Sequence, residues 1–137
     1  MADWKLWRAM ARESLRAAYK IESDAPRSSI SRYYYAAYQA TSAVLIYRGL
    51  VPPPDREAWS HETTPQMLND HYKPLLDNPR KRSSLVSYLT YLYKLRVYAD
   101  YISGETTIGE KIETARKHSK ELVRVAESLL QQEEQTS

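Results

Sequence analysis

Glycine occurs only three times in the 137 residues. No stretch sustains an alternation of apolar and polar residues, whereas apolar residues return at spacings of three and four through most of the chain. That pattern predicts an all-α protein. The length suits one domain with a proper core and is too short for two ordinary ones, so residues 1–137 are read as a single helical domain. Charged residues at 27% and hydrophobic ones at 42% exclude a wholly disordered chain. The lack of cysteine excludes disulfides, thiolate zinc sites and cysteine nucleophiles, and makes the cytoplasm the expected compartment. No uncharged apolar run approaches the roughly 20 residues needed to cross a bilayer, and the start, MADWKLWRAMARES, lacks a continuous apolar signal region. No membrane association is expected.

Five helices follow from the periodicity and its punctuation. The first opens at Asp3, carries Trp4, Trp7, Ala11, Leu15 and Ala18 on one face, and ends before Ser23-Asp24-Ala25-Pro26. The second is expected to be capped by Ser28 or Ser29 and stopped by Gly49; it is apolar nearly all round and therefore central. Its Ala36, Ala37, Ala40, Ser42 and Ala43 permit close helix approach. Residues 50–63 form a long proline-rich loop with an extended polyproline stretch. Thr63 or Thr64, with Pro65 behind it, opens a short third helix that Pro74 and Pro79 interrupt or end. Ser83 or Ser84 is the expected cap of a fourth helix, with Leu85, Tyr88, Leu92, Leu95, Ala99 and Ile102 on one stripe and Gly104 closing it. The last opens with a Thr107–Glu110 capping box and turns Ile108, Ile112, Ala115, Leu122, Ala126 and Leu129 inward. Its end, residues 130–137, is expected to fray. Short connections between long amphipathic helices make neighbours antiparallel, giving an up-and-down bundle of four long helices plus one short helix.

Several side-chain groups are candidates for chemistry. Near the end of the fourth helix, spacings of three and four gather Tyr93, Arg96 and Asp100, with Tyr101 on the flank. As a purely structural ion pair, Arg96–Asp100 contributes at most about 0.2–0.5 kcal/mol, in the less favourable order, and an acid near a helix C-terminus opposes the macrodipole. Broken local rules without structural gain point to function. Arg32 with Tyr33, Tyr34, Tyr35 and Tyr38 offers an arginine for phosphate and rings for bases, or tyrosines packed between helices. Arg8, Arg12, Arg16 and Lys20, and the run Arg80-Lys81-Arg82, are candidate phosphate-backbone contacts or a solvated face. His61, His71 and His118 are too scattered to predict a metal site, and no cofactor motif appears. His61, beside Trp59 at the end of the long loop, is placed to reach a cleft. Charge is unevenly spread: 15 basic and 9 acidic residues up to Tyr98, against 5 and 8 from Ala99 onward.

Together, Ser31-Arg32-Tyr33-Tyr34-Tyr35-Ala36-Ala37-Tyr38, Gly49, Ser60-His61 and Leu95-Arg96-Val97-Tyr98-Ala99-Asp100-Tyr101 resemble, in order and spacing, the HEPN domain family. The likeness is to small prokaryotic members with an Arg-x-x-Ala-Asp-Tyr segment, and it spans Trp4 to Leu130. The resemblance implies a helical bundle that forms a homodimer, the fourth-helix arginine facing a cleft between protomers. It also implies frequent association with a minimal nucleotidyltransferase. Many relatives are metal-independent RNA endonucleases, often toxins or defence proteins. Those nucleases carry a histidine after four to six residues beyond the arginine; from Arg96 the corresponding positions hold Tyr101, Ile102 and Ser103. A tyrosine with an ordinary pKa of about 10 exchanges protons poorly near neutrality.

The expected function is therefore a dimer cleft that engages RNA or a nucleotide, in a toxin-like or defence-associated setting, with weak or absent cleavage. Arg96, Asp100 and Tyr101 are the candidate catalytic residues, and Arg32, Tyr34, Tyr93 and His61 the candidate substrate-binding ones. Tyr101 is also a candidate for adenylylation by a nucleotidyltransferase partner. The rival expectation is a non-catalytic interaction module that associates through Tyr33, Tyr35 and the second helix.

Overall fold

A computed structural model describes residues 3–53, 59–101 and 105–136, without the side chains of 105–107 and 132–136. Five helices follow in order: α1 (Trp4–Lys20), α2 (Pro26–Tyr47), α3 (Thr64–Tyr72), α4 (Pro79–Tyr101) and α5 (Glu105–Thr136). No strand occurs among the described residues. The helix order, long-long-short-long-long, is the bundle that the apolar spacing predicts.

Contacts between helix ends fix the directions. Trp4, at the start of α1, meets Tyr47, at the end of α2, edge-on with ring centroids 5.5 Å apart. Arg27 at the start of α2 donates to the carbonyl of Ala99 near the end of α4, satisfying a C-terminal carbonyl that the helix itself leaves open. Tyr88 of α4 stacks on His118 of α5 at 4.1 Å, and Lys81 at the start of α4 pairs with Glu121 further along α5. The four long helices thus run up, down, up and down. α2 touches each of the other helices, and its Ile30, Tyr33, Ala36, Ala37, Ala43 and Val44 are wholly buried. Alanine at three of these six positions helps four neighbours close around one helix. No helix among the described residues is long and apolar enough to cross a membrane.

Three helix starts differ from expectation, each for a local reason. α2 begins at Pro26, not after Ser28 or Ser29, because proline suits a first turn whose N–H is unbonded anyway. The Ser29 hydroxyl is spent elsewhere: it is buried and donates to the Ala18 carbonyl near the end of α1 at 2.7 Å. α4 begins at Pro79, four residues ahead of Ser83. Asn78 caps it, accepting from the Lys81 N–H at 3.1 Å through its side chain and from the Arg82 N–H at 3.0 Å through its carbonyl. α5 is already helical at Glu105, which places Thr107 inside the first turn and not at the cap. Ile102 and Gly104 lie outside the described residues, as do residues 54–58 of the proline-rich loop. α5 is helical to Thr136, and side-chain order in the expected frayed tail lies outside the description.

Other terminators act as predicted. The Asp3 carboxylate accepts from the Lys5 N–H at 2.9 Å at the head of α1. Gly49 ends α2 with φ +88°, the conformation glycine adopts without a Cβ clash. Its N–H bonds the Ile46 carbonyl, and that of Leu50 bonds the Leu45 carbonyl, a Schellman closure.

Candidate functional site

Three segments meet on one side of α2. Tyr34, Tyr35 and Tyr38, at spacings of one and four, fall on one helical face. Tyr93 and Arg96 approach them from α4, and His61 arrives from the loop ahead of α3. That loop is pinned by side chains. The Tyr38 hydroxyl donates to the carbonyl of the buried Trp59. Ser60 supplies the capping groups for α3: its hydroxyl accepts from the Thr63 N–H at 3.2 Å, and its carbonyl from the Thr64 hydroxyl at 2.7 Å. Thr63 occupies the cap position without a side-chain bond of its own to the helix.

His61 sits in a cage of four tyrosines. Its ring centroid lies 5.3 Å from Tyr34, 6.1 Å from Tyr35, 4.8 Å from Tyr38 and 5.5 Å from Tyr93, with the Tyr93 ring nearly parallel at 13°. The Tyr34 hydroxyl hydrogen-bonds Nδ1 of His61. Arg96 shares two of these rings. Its guanidinium carbon is 5.1 Å from the centroid of Tyr35 and 5.9 Å from that of Tyr34, contacts worth up to about 2 kcal/mol when desolvated.

Arg96 is held without being satisfied. Its side chain retains 24% exposure, and Nε lies 3.7 Å from Oδ2 of Asp100, close enough for charge attraction and too far for a hydrogen bond. Nε is buried with no hydrogen-bond partner among the described residues. A fork of donors whose charge-assisted bonds to the protein are unmade is suited to an oxyanion from outside, above all a phosphate. Burial first, and the Arg96 charge second, depress the pKa of His61 below its ordinary value of 6.5, which favours a neutral ring at pH 7. Burial also raises the Tyr34 hydroxyl far above the usual tyrosine range, so it keeps its proton.

Of the residues singled out in the sequence, Tyr34, Tyr93, Arg96, His61 and Asp100 come together. Arg32 is exposed on α2 and meets none of them among the described residues. Tyr101 is 82% exposed, on the α4 stripe that runs Tyr93, Val97, Tyr101. Two lining residues, Tyr35 under the guanidinium and Tyr38 against the imidazole, are among the tyrosines that the sequence offers as rings for bases or as packing between helices, but not among the expected substrate-binding residues; their spacing from Tyr34 is the signal that joins them. Tyr33 is wholly buried, its hydroxyl bonded to Glu22 at 2.8 Å. It cannot serve the interaction surface expected of it, because α1 and α5 already cover that side of α2. The basic runs are also partly committed. Arg12 forms a two-point pair with Glu127 at 2.5 and 2.6 Å. Arg82 is buried and donates to the Leu76 carbonyl at 2.6 Å, and Lys81 pairs with Glu121.

A family model of the HEPN domain matches residues 4–135. The chain belongs to the HEPN domain family. Membership points in general terms to an RNase-like or nucleotide-related function. No curated protein and no solved structure matches the chain. In this HEPN protein the imidazole that shares the Tyr34 and Tyr35 rings with Arg96 comes from the α2–α3 loop.

Proposed function

We propose that this HEPN protein binds RNA or a nucleotide by a phosphate group seated on Arg96, in a cleft framed by His61, Tyr34, Tyr35 and Tyr93. The observation that carries the reading is the arginine itself: largely buried between two tyrosine faces, with no hydrogen bond to the protein among the described residues. A cation kept for structure is ordinarily hydrogen-bonded through its guanidinium, as Arg12, Arg82 and Arg116 are. Tyrosine faces beside it suit stacking of bases, which is tolerant of sequence.

The cleft belongs to a homodimer in this reading. Tyr93, a wall of the cage, continues at four-residue spacing into Val97 and Tyr101, which are 37% and 82% exposed, an apolar stripe that a second copy would cover. A minimal nucleotidyltransferase is the partner, in a toxin-like or defence-associated pair, and the exposed Tyr101 hydroxyl is the group it would adenylylate. Intact-mass analysis after coexpression with such an enzyme tests that part: an adenylate increment absent from Tyr101→Phe supports it, and no increment on the wild type removes it.

The binding reading is tested by titrating the protein with a short RNA and with ATP at low salt. Arg96→Ala is expected to weaken binding about 10- to 100-fold, the loss of a charge-assisted hydrogen-bonding partner. Equal binding by both proteins would remove Arg96 from the account.

A further inference from the structure

The bond between Tyr34 and His61 has a direction. Tyr34 is buried, and among the described residues its hydroxyl has one partner, Nδ1 of His61. If Nδ1 carried the imidazole proton, it would donate to Tyr34, and the hydroxyl proton would be left without an acceptor inside a desolvated cage. A buried donor without a partner costs about 1–3 kcal/mol. If the hydroxyl donates, Nδ1 accepts and nothing is orphaned. The neutral ring then carries its proton on Nε2. Among the described residues no group bonds Nε2, and that nitrogen is not one of the buried polar atoms lacking a partner, so it is open to solvent, on a ring that shares Tyr34 and Tyr35 with Arg96.

We infer that Tyr34 is a positioning residue that locks His61 as the Nε2–H tautomer, making His61 a neutral hydrogen-bond donor to the anion on Arg96, so that a phosphodiester is held and not cut. The inference rests on the binding reading above and adds to it what the histidine does. Cleavage of RNA by its own 2′-hydroxyl needs a base to take that proton. Here one imidazole nitrogen is occupied by Tyr34 and the other already bears hydrogen. Protonating the ring is opposed from every side: Tyr34, Tyr35 and Tyr38 of α2 and Tyr93 of α4 desolvate it, Arg96 repels the added charge, and Tyr34 would lose its acceptor. Asp100, the nearby acid, lies against Arg96. A neutral donor beside a permanent cation recognises phosphate without adding a group that titrates on binding.

The test reads the tautomer directly, by two-bond proton–nitrogen correlation spectra of the histidine rings in the free protein at pH 7.5. His61 is expected to show hydrogen on Nε2 and a bare, hydrogen-bonded Nδ1. Tyr34→Phe is expected to turn it into a mixture of tautomers. His118, which stacks on Tyr88 with no hydroxyl on either nitrogen among the described residues, is the internal reference for an intact fold and should not move. Labelled RNA incubated with the wild type in EDTA should be bound and remain whole. His61→Ala should weaken its binding about tenfold, and His61→Gln, which keeps an N–H donor, should recover most of it. An Nδ1–H tautomer in the wild type, or an unchanged His61 spectrum in Tyr34→Phe with His118 in place, overturns the inference. RNA that binds through Arg96 yet is cut, with cutting lost in His61→Ala, overturns it and leaves the binding site standing. RNA whose binding ignores Arg96 overturns the binding site and the donor role with it.

Discussion

Arg96 and His61, which reach the site from α4 and from the loop ahead of α3, lie against the same two rings, Tyr34 and Tyr35, the arginine at 5.9 and 5.1 Å and the imidazole at 5.3 and 6.1 Å. In the proposed reading, a cation and a neutral heteroaromatic on a common aromatic wall form the recognition surface, with the Asp100 carboxylate 3.7 Å from the cation and not hydrogen-bonded to it. Among the described residues the charge has no hydrogen bond to satisfy it, which ties stability and function together in opposite senses.

Arg96→Met should therefore leave the melting temperature unchanged or raise it while removing anion binding. A methionine fills similar space against the tyrosines without a buried unpartnered nitrogen. Thermal unfolding of both proteins checks this. A large loss of stability would mean that Arg96 is structural.

Stability should fall as the pH is lowered from 7 to 5. The half-buried rings of His61 and His118 have pKa values depressed below 6.5 in the folded protein, His61 by desolvation and then Arg96, His118 by desolvation. Below pH 6.5 the unfolded chain binds more protons than the folded one, so the stabilisation is complete above that pH and is lost on acidification. A second decline belongs to Glu121, held at about 2 chiefly by hydrogen bonds from Arg124 and Lys81; its contribution is present above its ordinary pKa and lost as pH falls through the acid range towards 2. Melting temperatures across pH should show both declines, and the first should flatten in the His61→Gln, His118→Gln double variant. A flat wild-type profile between pH 7 and 5 would contradict the desolvation of these rings.

Asn78→Ala should cost about 1 kcal/mol of stability, the usual value of a lost N-cap, whereas Ser83→Ala should cost little, since Ser83 lies exposed within α4. Chemical denaturation of the two variants separates them. Similar losses would return the start of α4 to the serines.

Tyr101→Glu and Val97→Asp should shift a dimer towards monomer in sedimentation at micromolar concentration, because each puts an unpaired charge on the exposed α4 stripe. A wild type that sediments as a strict monomer would remove the shared cleft and leave the Arg96 cage within one protomer.

The bundle was legible because its signals are local and repeated. Ala11 and Ala18, or Leu85, Leu92 and Leu95, recur at helical spacing and are buried where that spacing puts them. Helix starts were read less well. Serines attracted the cap assignments at Ser28, Ser29, Ser83 and Ser84, while proline at the first turn, at Pro26 and Pro79, looked like a break. The Arg96–Asp100 spacing announced a polar face, but a sequence gives no distance from α4 to the loop. That His61 would slot between Tyr38 and Tyr93 depends on the Tyr38–Trp59 bond and the Ser60 cap. Those are tertiary contacts, invisible to periodicity. Arg32 shows the converse: a residue next to the site in sequence that the helix turns away from it.

The most direct measurement is fluorescence anisotropy of a labelled short RNA with the wild type and Arg96→Ala over a range of salt concentrations. The account predicts weaker binding of the variant, by about 10- to 100-fold at low salt, and a shallower salt dependence by roughly one phosphate contact. Superimposable titrations, in affinity and in salt slope, would contradict it.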